Sequence, residues 1–216
     1  MEPEKFKIKD LFDGIVIPII LVLLIFVLAV YVNVTGEYHV LGEENVISII
    51  LTQGFAQMIV LGIPLVLGLL WNKWAGGAAG FVMGGMYYVA SAGEYNGLYS
   101  SLGVTQYNFF GDISMLFYLV NAVIIGYMAG SLNHGSTSFK RMLGAGLTAA
   151  IVTAVIQAFM NYNVSLEPAR AMAIGLWADI PNALLINFVP SIALGIIVPI
   201  LAKVMTWYGI MPMKHY

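Results

Sequence analysis

Residues 61–85 read LGIPLVLGLLWNKWAGGAAGFVMGG, in which one charged residue, Lys73, separates two strongly apolar runs. A helix that crosses about 30 Å of hydrocarbon needs roughly 20 apolar residues. The runs on either side of Lys73 continue outward to residues 46 and 92, so each reaches that length. This stretch therefore predicts two helices that cross a membrane and are joined by a short basic connection.

Four further apolar runs complete the pattern. The six predicted spans are residues 14–34, 46–70, 74–92, 113–132, 142–160 and 181–205. The composition agrees, because 60% of the residues are hydrophobic and only 9% are charged, which is outside the usual range of water-soluble domains. We therefore expect one all-α domain over residues 1–216, a polytopic protein with six transmembrane helices in the lipid bilayer of the cell (plasma) membrane.

The basic residues lie on alternate connections between these spans. Eight of the nine Lys and Arg residues fall before the first span, after the second, after the fourth or at the end of the sixth. On the other side only Arg170 occurs, among seven Asp and Glu residues. Because cytoplasmic connections collect Lys and Arg, we expect both termini in the cytoplasm and an acidic outer face. The outer connections 93–112 and 161–180 are predicted to be long, at about 20 residues each, and long connections are often functional.

Polar side chains are concentrated in the predicted outer halves of the spans, whereas the inner halves are almost entirely apolar. A polar side chain that faces lipid is costly, so these groups tend to turn toward the interior of the bundle. We expect an outward-facing ligand pocket lined by Gln53, Gln57, Tyr88, Asp112, Tyr118, Asn121, Gln157, Asn182 and Asn187, and closed by Glu94, Tyr95, Arg170 and Trp177. The alternative is a polar cluster that only holds helices together, at about 1 kcal/mol for each Asn or Gln.

This distribution excludes several classes of function. A water-filled channel needs polar groups along its depth, and an ion-coupled carrier usually keeps an ionisable group near mid-membrane. No HExxH, GxSxG or P-loop motif and no Cys occurs, and the three His residues fall in different connections. We therefore expect no enzyme, metal site, cofactor or nucleic-acid partner. Asp112 and Asp179 each precede a span, where a solvated carboxylate that caps the helix is the simpler interpretation.

Small residues form three rows at helical spacing. They are Gly76, Gly80 and Gly84 on the third span, Gly126 and Gly130 on the fourth, and Ala150, Ala154 and Ala158 on the fifth. Such rows allow helix backbones to approach closely in lipid. They predict either packing within the chain or a docking face for a partner subunit.

Two stretches resemble the substrate-binding S components of energy-coupling-factor (ECF) transporters. Residues 74–85, WAGGAAGFVMGG, are similar to the glycine-rich third span of that family, and residues 180–187, IPNALLIN, followed by Pro190, Gly195 and Pro199, resemble the start of its last span. The resemblance implies capture of a vitamin-like small molecule outside the cell, and uptake with a transmembrane coupling subunit and two ATPase subunits. The alternative is a non-catalytic integral-membrane subunit of a larger complex.

The predicted orientation can be measured directly because the chain has no Cys. A single Cys introduced at Tyr95 should react with a membrane-impermeant thiol reagent from outside, and one at Ser138 only after the membrane is opened. Labelling of the Ser138 variant in intact cells would contradict the orientation.

Overall fold

The computed structural model describes residues 55–101, 108–164 and 188–209, together with Val16 and Ile20. These ranges hold five α-helices: α1 Phe55–Leu70, α2 Lys73–Ser101, α3 Ile113–Asn133, α4 Phe139–Asn163 and α5 Val189–Trp207. A 3-10 turn, Phe109–Gly111, comes just before α3. The all-helical prediction is confirmed for this part of the chain. The first predicted span, apart from Val16 and Ile20, and the first parts of the second and sixth lie outside it.

Three of the helices are long and apolar enough to cross a membrane: Ile113–Asn133, Phe139–Met160 and Val189–Trp207. Their outer surfaces also suit lipid. Ile151, Val155 and Phe159 follow one another at intervals of four residues on α4, and all three are exposed. A continuous apolar surface of this kind is avoided in water and is expected in contact with lipid. The protein is therefore a helical membrane protein.

Helices α2 and α3 are in direct backbone contact. A β-carbon built on Gly80 would overlap the carbonyl group of Ala122, and one on Gly84 would lie 2.7 Å from the Cα of Leu119. Gly76 faces Gly126 in the same way, each backbone lying against the other. The glycine rows of the third and fourth predicted spans thus pack against each other within the chain, as close-packed small residues do in lipid.

The alanine row of α4 is also used internally. Ala150, Ala154 and Ala158 are all buried. A β-carbon on Gly195 of α5 would lie 3.1 Å from the Cβ of Ala150, so α4 and α5 approach closely at this level. A short distance away, Gly146 leaves room for the ring of Pro199. Small residues therefore set the α4 and α5 spacing as well.

The described charged side chains separate to the two ends of the bundle. Among them, four basic residues lie at one end, which we call the basic end: Lys73, Lys140, Arg141 and Lys203. Lys203 Nζ donates to the Thr137 carbonyl oxygen at 2.8 Å, and Arg141 Nε donates to that of Leu132 at 3.2 Å. Asp112 begins α3 at the opposite end, the acidic end. An apolar core that includes Leu65, Leu69, Ile125, Ala149 and Val198 lies between α1, α3, α4 and α5.

The ends of the helices differ from the predicted ends of the spans. Helix α2 continues to Ser101, so the first nine residues of the predicted connection 93–112 are helical, and α4 continues to Asn163, three residues into the connection 161–180. The physical reason is that hydropathy marks where a chain leaves the hydrocarbon, whereas a helix ends where its backbone hydrogen bonds stop. At the basic end the prediction is closer: α3 ends at Asn133, and His134 turns the chain with a left-handed φ of 50°.

The glycine contact predicts a clear difference between two Gly→Ala substitutions. Gly80→Ala should lower the free energy of unfolding by about 1–3 kcal/mol, because the added methyl group has no room. Gly144→Ala on α4 should leave stability unchanged or slightly higher, because nothing lies within 4 Å of a β-carbon there. Thermal unfolding in detergent, followed by fluorescence, compares the two variants. Equal stability of both would contradict the close contact.

Candidate functional site

Five of the predicted site residues have described side chains: Tyr88, Asp112, Tyr118, Asn121 and Gln157. Gln57 belongs to α1, and Glu94 and Tyr95 belong to α2, where only their helical backbone is described. The remaining five predicted residues lie outside the described ranges: Gln53, Arg170, Trp177, Asn182 and Asn187. The description of the site therefore rests on α2, α3 and α4.

Asn121 and Gln157 connect α3 to α4. Asn121 Nδ2 donates to Gln157 Oε1 at 2.7 Å, and the Asn121 side chain is only 3% exposed. The Oδ1 of Asn121 is buried and has no hydrogen-bond partner among the described residues. A carbonyl oxygen in this position costs free energy unless it accepts a hydrogen bond. The pair is thus a fixed polar group between the helices that has one acceptor left over.

Aromatic rings gather closer to the acidic end. Tyr87 and Tyr118 meet edge to face with ring centroids 5.5 Å apart. The ring of Tyr88 contacts the rings of both Phe109 and Phe110 in the 3-10 turn, with ring centroids 5.1 and 5.8 Å apart. Tyr88 and Tyr118 pack against one apolar cluster, which holds the 3-10 turn against α2 and the start of α3. Two of the predicted site residues therefore pack against the same apolar cluster.

Asp112 caps α3 and is buried. Its Oδ1 accepts hydrogen bonds from the Ser114 backbone N–H at 3.0 Å and from the Ser114 hydroxyl at 2.7 Å. A carboxylate at this position satisfies free N–H groups and interacts favourably with the helix dipole. The predicted cap is therefore confirmed, but its predicted solvation is wrong, because Asp112 is only 1% exposed. The adjoining 3-10 turn covers it, so Asp112 fixes the start of α3.

Together these groups form a polar and aromatic region at the acidic end. It offers amide and phenol hydrogen-bonding groups, ring faces and one buried carboxylate, which suit recognition of a small molecule. Within the described ranges, no group of three or more His, Asp or Glu side chains is placed to hold a metal ion.

Sequence reasoning missed two features. Phe109 and Phe110 are adjacent, yet Phe109 is fully buried and Phe110 is 62% exposed. At the basic end, Asn133 Nδ2 donates to the Leu69 carbonyl oxygen at 2.8 Å and to that of Ser136 at 3.0 Å. The sequence signal for the second was available, because Asn133 directly precedes the His134-Gly135 turn where α1 and α3 end.

The fold and the described residues define a helical membrane protein with a polar region inside one half of the bundle. No protein-family model matches the chain, and searches of curated proteins and of solved structures found no significant match.

The contact between Asn121 and Gln157 predicts an energetic coupling. A double-mutant cycle with Asn121→Leu and Gln157→Leu should give a coupling of about 0.6 to 1.7 kcal/mol, the range found for hydrogen bonds between membrane helices. The matched control pairs Asn121→Leu with Thr153→Val, because the Thr153 hydroxyl bonds only to carbonyls of its own helix. Unfolding free energies in detergent measure both cycles, and a coupling no larger than the control would contradict the contact.

Proposed function

We propose that this protein binds a small molecule between the acidic ends of its helices, as the substrate-binding component of an ATP-driven uptake transporter. The observation that carries the proposal is the buried pair of Asn121 and Gln157, with the Asn121 Oδ1 left without a described partner. Inside a bundle that is surrounded by lipid, there is no water to donate a hydrogen bond to that oxygen, and lipid chains carry no donor. A ligand with an N–H or O–H group would supply one.

The aromatic groups support the class of ligand. Tyr118 lies about one helical turn before Asn121 on α3, and Tyr88 packs on the same apolar cluster as Tyr118. Tyr and Phe rings bind planar or cationic groups through stacking and cation–π contact. Among the described side chains, Asp112 supplies a negative charge at this end. A neutral or cationic heteroaromatic compound therefore fits better than a polyanion. This agrees with a vitamin-like molecule, the substrate class that the resemblance to S components implies.

The separation of polar and apolar regions supports binding rather than passage through the chain alone. Toward the basic end, the space between α1, α3, α4 and α5 is filled by Leu, Ile, Val and Ala side chains. Backbone contacts such as Gly76 against Gly126 leave no gap between α2 and α3. A bound molecule would reach the other side only through a change in the whole bundle, such as the movement that a coupling subunit and ATPases would drive.

The structure gives less support to the alternative, a structural subunit of a larger complex, than to the binding proposal. The alternative assigned the glycine rows to docking on a neighbour, but α2 and α3 already cover each other's glycines. It would keep the Asn121 and Gln157 contact as a link between helices. The two proposals also differ in gene neighbourhood, since an ATPase pair is expected for the transporter component and a membrane enzyme for the structural subunit.

Mass spectrometry of small molecules released from purified protein tests the binding proposal. The wild-type protein should release a compound that Asn121→Leu loses, because that variant removes the free acceptor. Thr153→Val is the control, since its hydroxyl is satisfied within α4 and its release should match the wild type. Thermal stability of each variant shows that it is folded. If the wild-type protein releases no compound, the structural-subunit alternative is favoured instead.

A further inference from the structure

A separate pocket opens at the basic end, far from the proposed ligand site. Its volume is about 170 Å³, several times the roughly 30 Å³ that one water molecule occupies in the liquid. The connection between α1 and α2 forms one wall and the end of α3 forms the other. The lining residues are Trp71, Asn72, Lys73, Gly130, Ser131, His134 and Gly135.

The side chains of this pocket are suited to an anion. None of the lining residues is acidic, and Lys73 contributes a positive charge. The Trp71 indole, the Ser131 hydroxyl and the His134 imidazole can each donate a hydrogen bond. Asn72 Oδ1 already accepts the Ala75 backbone N–H at 2.8 Å, which leaves its amino group as the available donor. Several hydrogen-bond donors thus line a space without a carboxylate, and Lys73, which also lines it, brings the positive charge of its side chain to this end.

Lys73 lies at the level where the apolar surface ends. Its Nζ is 5.6 Å from the Trp74 ring centroid and 5.8 Å from that of Tyr127. Both rings are on the outer surface of the bundle, and Trp74 is 62% exposed. Trp and Tyr prefer the membrane interface, where lipid headgroups lie. The pocket therefore opens at the depth of the headgroups.

We propose that this pocket binds a phosphate group, either of an anionic lipid headgroup or of a free phosphate. The ammonium group of Lys73 at this end and the hydrogen-bond donors that line the pocket together suit phosphate oxygens, which accept several hydrogen bonds at once. Basic pockets between transmembrane helices commonly hold lipid phosphate in this way. Because the pocket lies at the end opposite to Asn121, this proposal is independent of the proposed uptake function.

Native mass spectrometry of the full-length protein tests the lipid source, with phosphatidylglycerol and phosphatidylcholine as probes. The wild type should retain phosphatidylglycerol in preference to phosphatidylcholine, and Lys73→Gln should lower the affinity about fivefold, the effect of one basic residue near the membrane surface. Lys73→Arg keeps the positive charge and should keep the wild-type affinity for phosphatidylglycerol. The matched control is Lys140→Gln, an exposed basic residue at the same end that does not line the pocket, and it should change the affinity little.

The free-phosphate source is tested by thermal stability in inorganic phosphate against chloride of equal ionic strength. Stabilisation of the wild type but not of Lys73→Gln identifies a free anion as the occupant. If the wild-type protein retains phosphatidylglycerol but is not stabilised by inorganic phosphate, the occupant is a lipid headgroup. If Lys73→Gln does not fold, Ser131→Ala removes a donor, keeps the charge and should weaken binding. Equal losses with Lys73→Gln and Lys140→Gln, or no effect of either probe, would overturn the proposal.

Discussion

The backbone contact between α2 and α3 is the constraint on which the other positions depend. Three glycines of α2 lie against α3 over two helical turns, so the two helices can neither slide nor rotate without a clash. An aromatic pair flanks this contact on each side, Trp74 with Tyr127 and Tyr87 with Tyr118, both with ring centroids 5.5 Å apart. The same contact therefore positions the phenol groups at the acidic end and Lys73 beside Gly130 at the basic end.

The two buried Asn residues of α3 show how similar side chains acquire different roles in an apolar environment. Asn133 donates to two backbone carbonyls, one of them in the last turn of α1, where helix carbonyls lack partners of their own. Its contacts therefore close the end of the bundle. Asn121 donates to a side chain, Gln157, and no backbone group depends on it. Both residues leave their Oδ1 buried without a hydrogen-bond partner among the described residues, so they differ in what they donate to and not in what they accept.

Much of the packing could be predicted from the sequence, because lipid imposes simple rules on it. Where the structure describes the apolar runs, they correspond to helices, the glycine rows mark the closest contact, and Asn121 and Gln157 both belong to the predicted polar half. The helix ends were harder, since nothing in the hydropathy of residues 93–101 indicates that α2 continues. The burial of Asp112 and the opposite environments of Phe109 and Phe110 depend on how the 3-10 turn folds back onto α2. Such long-range contacts have no local sequence signal.

The connection between α1 and α2, only Trp71 and Asn72, also constrains how the protein is made. With so little chain between them, the two helices form a hairpin whose arms are synthesised one directly after the other. Helix α3 is synthesised later, so Gly80 and Gly84 of α2 lack the backbone that covers them in the folded protein until α3 arrives. During that interval the hairpin lacks the helix against which α2 packs most closely. The order of synthesis thus determines when the tightest contact of the protein can form.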